Sequence, residues 1–341
     1  MVQWSGSEVS KMARHERKQI DTFSTWHSSA GVEINRESGD IFVLHDGGLF
    51  KYHRENGNYA KLPAIAPLKT GLGAACISVN EDTGDIAVVH QNGLNVYQPS
   101  GSGYKEVVLE IFQGITARAR CVFHKASGDI FVVSDAGGFY VYRKTPDSYE
   151  KILIDSFGAW HSSSGIGIDQ RTGDVFAVTN HIGGGKGPYP VSSSSPEPDK
   201  WPKGDCLVRY RPTGDRQYIK MIVDWPVATL GGSDLNVNTA TGEVIMVADP
   251  GLYIYKLDGD KYARKMVGAA YSRGEGAAVK VNEKTGEMVV VADSHIRIFT
   301  LKNHGEPIDA AMTRSCGVDV TVNAGTGEII MVDNRGLTIY Q

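Results

Sequence analysis

From Gly31 onward the chain alternates short apolar runs with turns built from Gly, Asn, Asp, Ser and Thr. The runs either alternate apolar and polar residues, as in GVEIN, or are continuously apolar, as in IFVLH, and they are rich in Val, Ile and Tyr. That is the pattern of strands and tight turns, and no run carries the 3.6-residue period of an amphipathic helix. Aligning on a [TS]-G-[DE] turn gives Gly39, Gly84, Gly128, Gly173, Gly242, Gly286 and Gly327, so seven units follow. Each unit predicts an inner strand, a second strand after the turn, a third such as GLFKYH, and an outer strand opening on tyrosine. Those openings are Tyr59, Tyr104, Tyr149, Tyr218 and Tyr262. The turn glycine is expected at positive φ, and the acid after it is expected to bond nearby amides.

The steps between turn glycines are 45, 44, 45, 69, 44 and 41 residues, the spacing of β-propeller blades. The fold expected is therefore all-β, a seven-bladed β-propeller with four-stranded blades, forming one domain over residues 1–341. The seventh unit stops at Tyr340 after its third strand, while His15–Phe23, HERKQIDTF, parallels the outer strand YEKILIDSF at Tyr149–Phe157. The N-terminal strand should complete the last blade and close the ring, removing sheet edges that would otherwise be exposed. The rhythm G-V-x-[IV]-[ND]…G-[DE]-[IV]-x-V-x-[DH] resembles that of NHL, YncE-like and lactonase-type propellers over essentially the whole chain. The G-H…W-D signature of WD40 blades is missing.

In such folds the segments leading into the inner strands, together with the loops between second and third strands, gather on one face around the central channel. Here the lead-in segments would bring Trp26, His27, Arg118, Arg120, Trp160, His161, Asp234, Arg273, Glu275, Arg314 and Cys316 to one rim. The second set of loops would add His45, His90, Asp135, His181, Asp249, Asp293 and Asp333. W-H-S-S occurs in units one and four only, at Trp26–Ser29 and Trp160–Ser163, so the scaffold does not require it. His27 and His161 lie three units apart and would face each other across a seven-fold ring; imidazole is the side chain suited to proton transfer at neutral pH. His27, His161, Arg120 and Arg273 are the candidate catalytic residues. Trp26, Trp160, Arg118, Asp234, Glu275 and Arg314 are candidate substrate contacts. The long fourth step holds HIGGGKGPYPVSSSSPEPDKWPKGD, residues 181–205, a loop placed to act as a lid, with Tyr189 and Trp201 best placed to reach a ligand.

Composition narrows the partners. A net charge of −4 without a Lys/Arg cluster gives no footprint for nucleic acid or an anionic membrane, and no run reaches the length of a spanning helix. The four cysteines are widely spaced without C-x-x-C, so neither a zinc knuckle nor a disulfide framework is expected, and the chain reads as cytoplasmic. GGGKG at Gly183–Gly187 lacks the following Ser or Thr of a phosphate loop. No motif calls for a cofactor. A metal would need His27, His161, His45 and His90 to converge, or a ligand set like that of the lactonase-type propellers, of which only Glu275-Gly276 has a counterpart here.

An intracellular propeller with a lidded rim of Trp, His and Arg looks like the fungal propeller cyclases of natural-product pathways, the hetero-Diels–Alderases among them. That resemblance implies a hydrophobic small-molecule substrate and ring closure without a cofactor. A carbohydrate-binding propeller lectin and a metal-dependent lactonase-like hydrolase are the alternatives. Against the lectin, W-H-S-S appears in only two units, whereas a multivalent lectin repeats its site.

Overall fold

The computed structural model describes residues 15–24, 30–70, 75–90, 92–111, 119–134, 138–156, 165–181, 204–214, 217–225, 233–248, 250–270, 277–292, 295–300, 306–310 and 318–341. These form seven four-stranded antiparallel sheets arranged as the blades of a propeller. The inner strands are Gly31–Ile34, Cys76–Val79, Ala119–Phe123, Ile166–Ile168, Asp234–Asn238, Ala278–Val281 and Asp319–Val322, for blades 1 to 7. Each contacts the inner strand of the next blade, and blade 7 contacts blade 1, so the ring closes.

The closing strand is the one expected from the sequence. Arg17–Asp21 pairs antiparallel with Gly336–Tyr340, with Arg17 opposite Tyr340 and Lys18 opposite Ile339. The last sheet therefore joins the two ends of the chain.

The continuously apolar second strands are explained by their position. Ile41–His45, Ile86–His90, Ile130–Ser134 and Met288–Ala292 are buried at every residue, because each lies inside its sheet and neighbouring blades cover both faces. Seven apolar clusters result, one at each junction between blades.

The seven turn glycines have φ between 72° and 80°, where an L side chain would be strained. Around the first, the Asn35 side-chain oxygen accepts from the amides of Glu37 and Ser38 at 3.0 and 3.1 Å, and the Asp40 amide donates to the Ser38 hydroxyl at 3.2 Å. This accounts for the Ser or Thr before each glycine. The acid after it departs from the sequence expectation: among the described residues only Asp129 is bonded to a neighbouring strand's amide, that of Lys144 at 2.9 Å. The others chiefly hold cations, as Asp40 does Lys51 at 2.6 Å and Glu328 does Arg54 at 3.1 Å. A base on a nearby third strand is the stronger partner for a half-buried carboxylate.

Blades are also joined at their outer strands. The hydroxyl of a third-strand tyrosine donates to an acid at the end of the preceding blade's outer strand: Tyr52 to Asp21 at 2.6 Å, Tyr142 to Glu110, Tyr210 to Asp155 at 2.7 Å and Tyr255 to Asp224 at 2.8 Å. A base from the tyrosine's own blade completes each set: Lys61, Lys151, Lys220 and Arg264.

Candidate functional site in the central channel

Because side chains alternate along a strand, positions one and three, counted from eight residues before each turn glycine, face the channel when two and four enter the blades. Positions two and four are the apolar ones, such as Val32 and Ile34 or Val320 and Val322. Position one is Gly31, Cys76, Arg120, Gly165, Asp234, Ala278 and Asp319 around the ring; position three is Glu33, Ser78, Val122, Gly167, Asn236, Lys280 and Thr321. All of these but Gly31, Gly165, Ala278 and Thr321 line a cavity of about 130 Å³, small against the roughly 300–1,000 Å³ of sites that enclose a drug-sized ligand.

An inner strand has one free edge, and its unpaired amides need acceptors. Several come from the preceding blade. Asp319 accepts from the Val32 amide at 3.0 Å, Asp234 from Val279 at 2.9 Å, Cys76 from Cys121 at 3.3 Å, Ser78 from Phe123 at 3.1 Å and Asn236 from Val281 at 3.2 Å. Blade 4 presents glycine instead. A Cβ on Gly165 would sit 3.0 Å from the Leu235 amide, and one on Gly167 would sit 2.6 Å from the Leu235 side chain.

Charge concentrates where those acceptors meet. Lys280 Nζ lies 2.9 Å from Glu33, and Thr321 donates to the same carboxylate at 2.7 Å. Burial pushes Glu33 upward, but Lys280 and Thr321 outweigh it and hold the carboxyl below its ordinary range. Asp319 has no such dedicated partner, and burial raises it from 3.8 to about 6, with Arg120 and Lys280 pulling it back. Asp234 is raised for the same reason and likewise restrained by Arg120. Arg120 is stabilised as a cation, since Asp234, Cys76 and Asp319 together outweigh its burial. Among the described residues the inward positions of the inner strands thus hold two cations and three carboxyls, one of which titrates at about 6.

The mouth on the turn side is ringed by the residues that follow each inner strand. Arg36 bridges Glu81 at 3.5 Å and Glu283 at 3.1 Å, and Lys125 pairs with Glu81. These charges satisfy one another.

Of the residues singled out from sequence, Arg120 and Asp234 line this cavity together. Trp26, His27, Trp160, His161, Arg118, Arg273, Glu275, Arg314, Tyr189 and Trp201 lie outside the described residues, as do Cys316, Asp135, Asp249, Asp293 and residues 182–203 of the proposed lid. His45 belongs to packing: its ring is stacked between Phe23 and Phe50, with centroids 4.0 and 4.8 Å away. Burial lowers it to about 4, so it is neutral at physiological pH, and Nδ1 accepts from the Gly47 amide at 3.0 Å. His90 is buried as well and lowered by burial. Asp333 is buried and bonded to Arg335. Among the described residues no group of three or more His, Cys, Asp or Glu side chains is arranged to hold a metal.

Sequence reasoning missed Glu33, Lys280, Asp319 and Cys76. The signal was present: position one lies eight residues before each turn glycine and position three lies six before it, so reading those two columns around the ring collects the cluster.

No helix among the described residues is long and apolar enough to cross a membrane. Comparison with protein-family models gives no match, and comparison with curated proteins gives none. Among solved structures the chain is similar to the β-propeller domain of Myceliophteria thermophila Cps50 (Swd1), at 11% identity and a TM-score of 0.62 over 95% of this chain and 99% of that one. It is also similar to the Dos1 propeller, at 11% identity and a TM-score of 0.53 over 89% of this chain and 75% of that one. A Trichoderma reesei protein of Carbohydrate-Active Enzymes Family AA12 matches at 12% identity and a TM-score of 0.49 over 99% of this chain and 100% of that one. At such identities the likeness establishes the fold: the chain is a seven-bladed β-propeller.

Proposed function

We propose that the chain is a cofactor-independent enzyme that closes a ring in a hydrophobic natural-product intermediate, with the oxygen-bearing end of the substrate anchored at the channel. The observation that carries this reading is Arg120, a cation between two carboxyls, of which Asp319 is held at about 6. A guanidinium donates to a carbonyl or alkoxide as charge develops on it, and a carboxyl near 6 supplies or accepts a proton. The cavity of about 130 Å³ takes a polar head group and leaves the apolar body to the rim. There His27, His161 and Arg273 are the further proposed acid–base and donor groups, Trp26 and Trp160 the apolar walls, Arg118, Glu275 and Arg314 polar contacts, and residues 181–205, with Tyr189 and Trp201, the cover. A cyclisation that already proceeds slowly in water needs only about 3–5 kcal/mol of barrier lowering, roughly 10²–10⁴-fold.

The test is to incubate the purified protein with a panel of polyketide and terpenoid dienones and follow the appearance of isomers, or of products lighter by one water, by chromatography and mass spectrometry. The wild type should convert at least one compound, and Arg120→Gln should slow it by about 10²–10³-fold, the scale of losing one oxyanion donor. No conversion across the panel, combined with binding on a glycan array, would replace this reading with the lectin.

A further inference from the structure

Cys76 and Cys121 are 45 residues apart in sequence and carry no redox motif, yet the ring places their sulfurs 3.7 Å apart. Cys76 is the first residue of the inner strand of blade 2 and Cys121 is at position two of the inner strand of blade 3; both border the cavity and both belong to the packing between the two blades. A disulfide requires about 2.05 Å, so the two sulfurs are in contact and one closing movement short of a bond.

Their surroundings make the two thiols unequal. Cys76 Sγ accepts from the Cys121 amide at 3.3 Å and faces the Cys121 thiol, and the Arg120 guanidinium lies next to it. Cys76 Sγ is also 3.5 Å from the Cys121 carbonyl, a contact that suits its protonated form. The Cys121 thiol hydrogen is directed to Cys76 or to the Ala87 carbonyl, 3.9 Å away. Two donors and a cation around one sulfur favour its thiolate, and thiolate is the reactive form. The bond from Cys121 and the Arg120 charge accordingly bring Cys76 below its ordinary range against burial, while Cys121 is pushed up by its bond to Cys76 and by burial. Cys206 is the contrast: it is fully buried in the cluster between blades 3 and 4.

We propose that Cys76 and Cys121 form a redox dithiol on the channel wall, with Cys76 the thiol attacked by hydrogen peroxide and Cys121 the resolving thiol that closes a disulfide between blades 2 and 3. In the first step the Cys76 thiolate attacks one peroxide oxygen, the O–O bond breaks, and Cys76 becomes a sulfenic acid as hydroxide leaves and takes up a proton. In the second, the Cys121 sulfur attacks the Cys76 sulfur, the S–O bond breaks, and the departing hydroxide leaves as water with the Cys121 proton. Two thiols and one peroxide give one disulfide and two waters. The disulfide takes away the ionisable sulfur beside Arg120, so oxidation changes what that cation can pair with as well as linking the blades.

The experiment treats the full-length reduced protein with stoichiometric hydrogen peroxide and maps its cysteines by peptide mass spectrometry. The expected result is a loss of two hydrogens located to a Cys76–Cys121 pair and reversed by dithiothreitol. Cys121→Ser should leave a dimedone-reactive sulfenic acid at Cys76, and Cys76→Ser should abolish both. In the untreated wild type, iodoacetamide should alkylate Cys76 at least 10-fold faster than Cys206 at pH 7, a reading that does not depend on either variant folding. Equal alkylation rates, a disulfide formed by other cysteines, or oxidation of Cys76 beyond sulfenic acid with Cys121 unmodified would overturn the proposal.

Discussion

Asp319 concentrates at one residue the tension between scaffold and site. Its carboxylate accepts from the Val32 amide, which ties blade 7 to blade 1, yet among the described residues the channel holds one more carboxyl than it holds cations. A carboxyl moved from 3.8 to about 6 is costlier to ionise in the fold than in the open chain, by roughly 3 kcal/mol at most. The sign follows: between those values the folded state binds more protons than the unfolded one, so this residue stabilises the fold as pH falls from about 6 toward 4 and costs stability above 6. Asn keeps an acceptor for Val32 and removes the odd charge. Asp319→Asn should therefore raise the melting temperature at pH 8, by the equivalent of about 1–3 kcal/mol, and flatten its pH dependence between 4 and 6. A variant that melts lower at pH 8 would show that Arg120 or Lys280 needs this carboxylate.

At the scale of the element, the tyrosine–acid–base sets show where junction energy resides. Asp155 is buried and accepts from Tyr210 and Lys220 across the junction of blades 3 and 4. Tyr210→Phe removes one hydrogen bond to a charged acceptor, an expected loss of about 1.5–3 kcal/mol. Asp155→Ala takes the shared acceptor from the hydroxyl and the ammonium together and should cost more, about 3–5 kcal/mol. Chemical denaturation of the two variants checks the order; equal losses would mean that Lys220 finds another partner. The turn at each inner strand behaves differently, since its requirement is conformational. Gly173 has a φ of 72° and a Cβ there would meet the Pro212 ring at 3.4 Å, so Gly173→Ala should cost about 1–2 kcal/mol from the backbone alone.

For the whole molecule, closure is the governing feature. Residues Arg17–Asp21 fill the outer edge of the last blade, Gln19 bonds the Leu337 carbonyl at 3.1 Å, and Asp21 receives the hydroxyl of Tyr52 from blade 1. Deleting residues 1–21 removes a strand and a junction acid together and leaves Gly336–Tyr340 as an open edge. The truncated chain should be insoluble or oligomeric on expression, measured by size-exclusion chromatography beside the full chain; a monomer of normal melting temperature would show that three strands suffice for this blade.

Blade number, strand order, turn glycines and the closing strand could all be read from the sequence, because each follows from local chemistry repeated at a fixed interval. A second strand covered on both faces must be apolar throughout, and a left-handed turn calls for glycine, wherever they occur. Arg120 and Asp234 were also legible, as charged residues at the start of inner strands. Their companions were not, because nothing local marks them: Glu33, Lys280 and Asp319 look like ordinary polar positions in alternating strands, and Cys76 and Cys121 like two unrelated thiols. The sequence by itself determined a ring of seven blades and how it shuts. Only the tertiary structure decided which side chains meet on its axis, since a closed ring converts a separation of 45 or nearly 290 residues into direct contact, as for Cys76 with Cys121 and Asp319 with Val32. The narrow channel then sets their ionisation by excluding water from charges that would each be unremarkable alone.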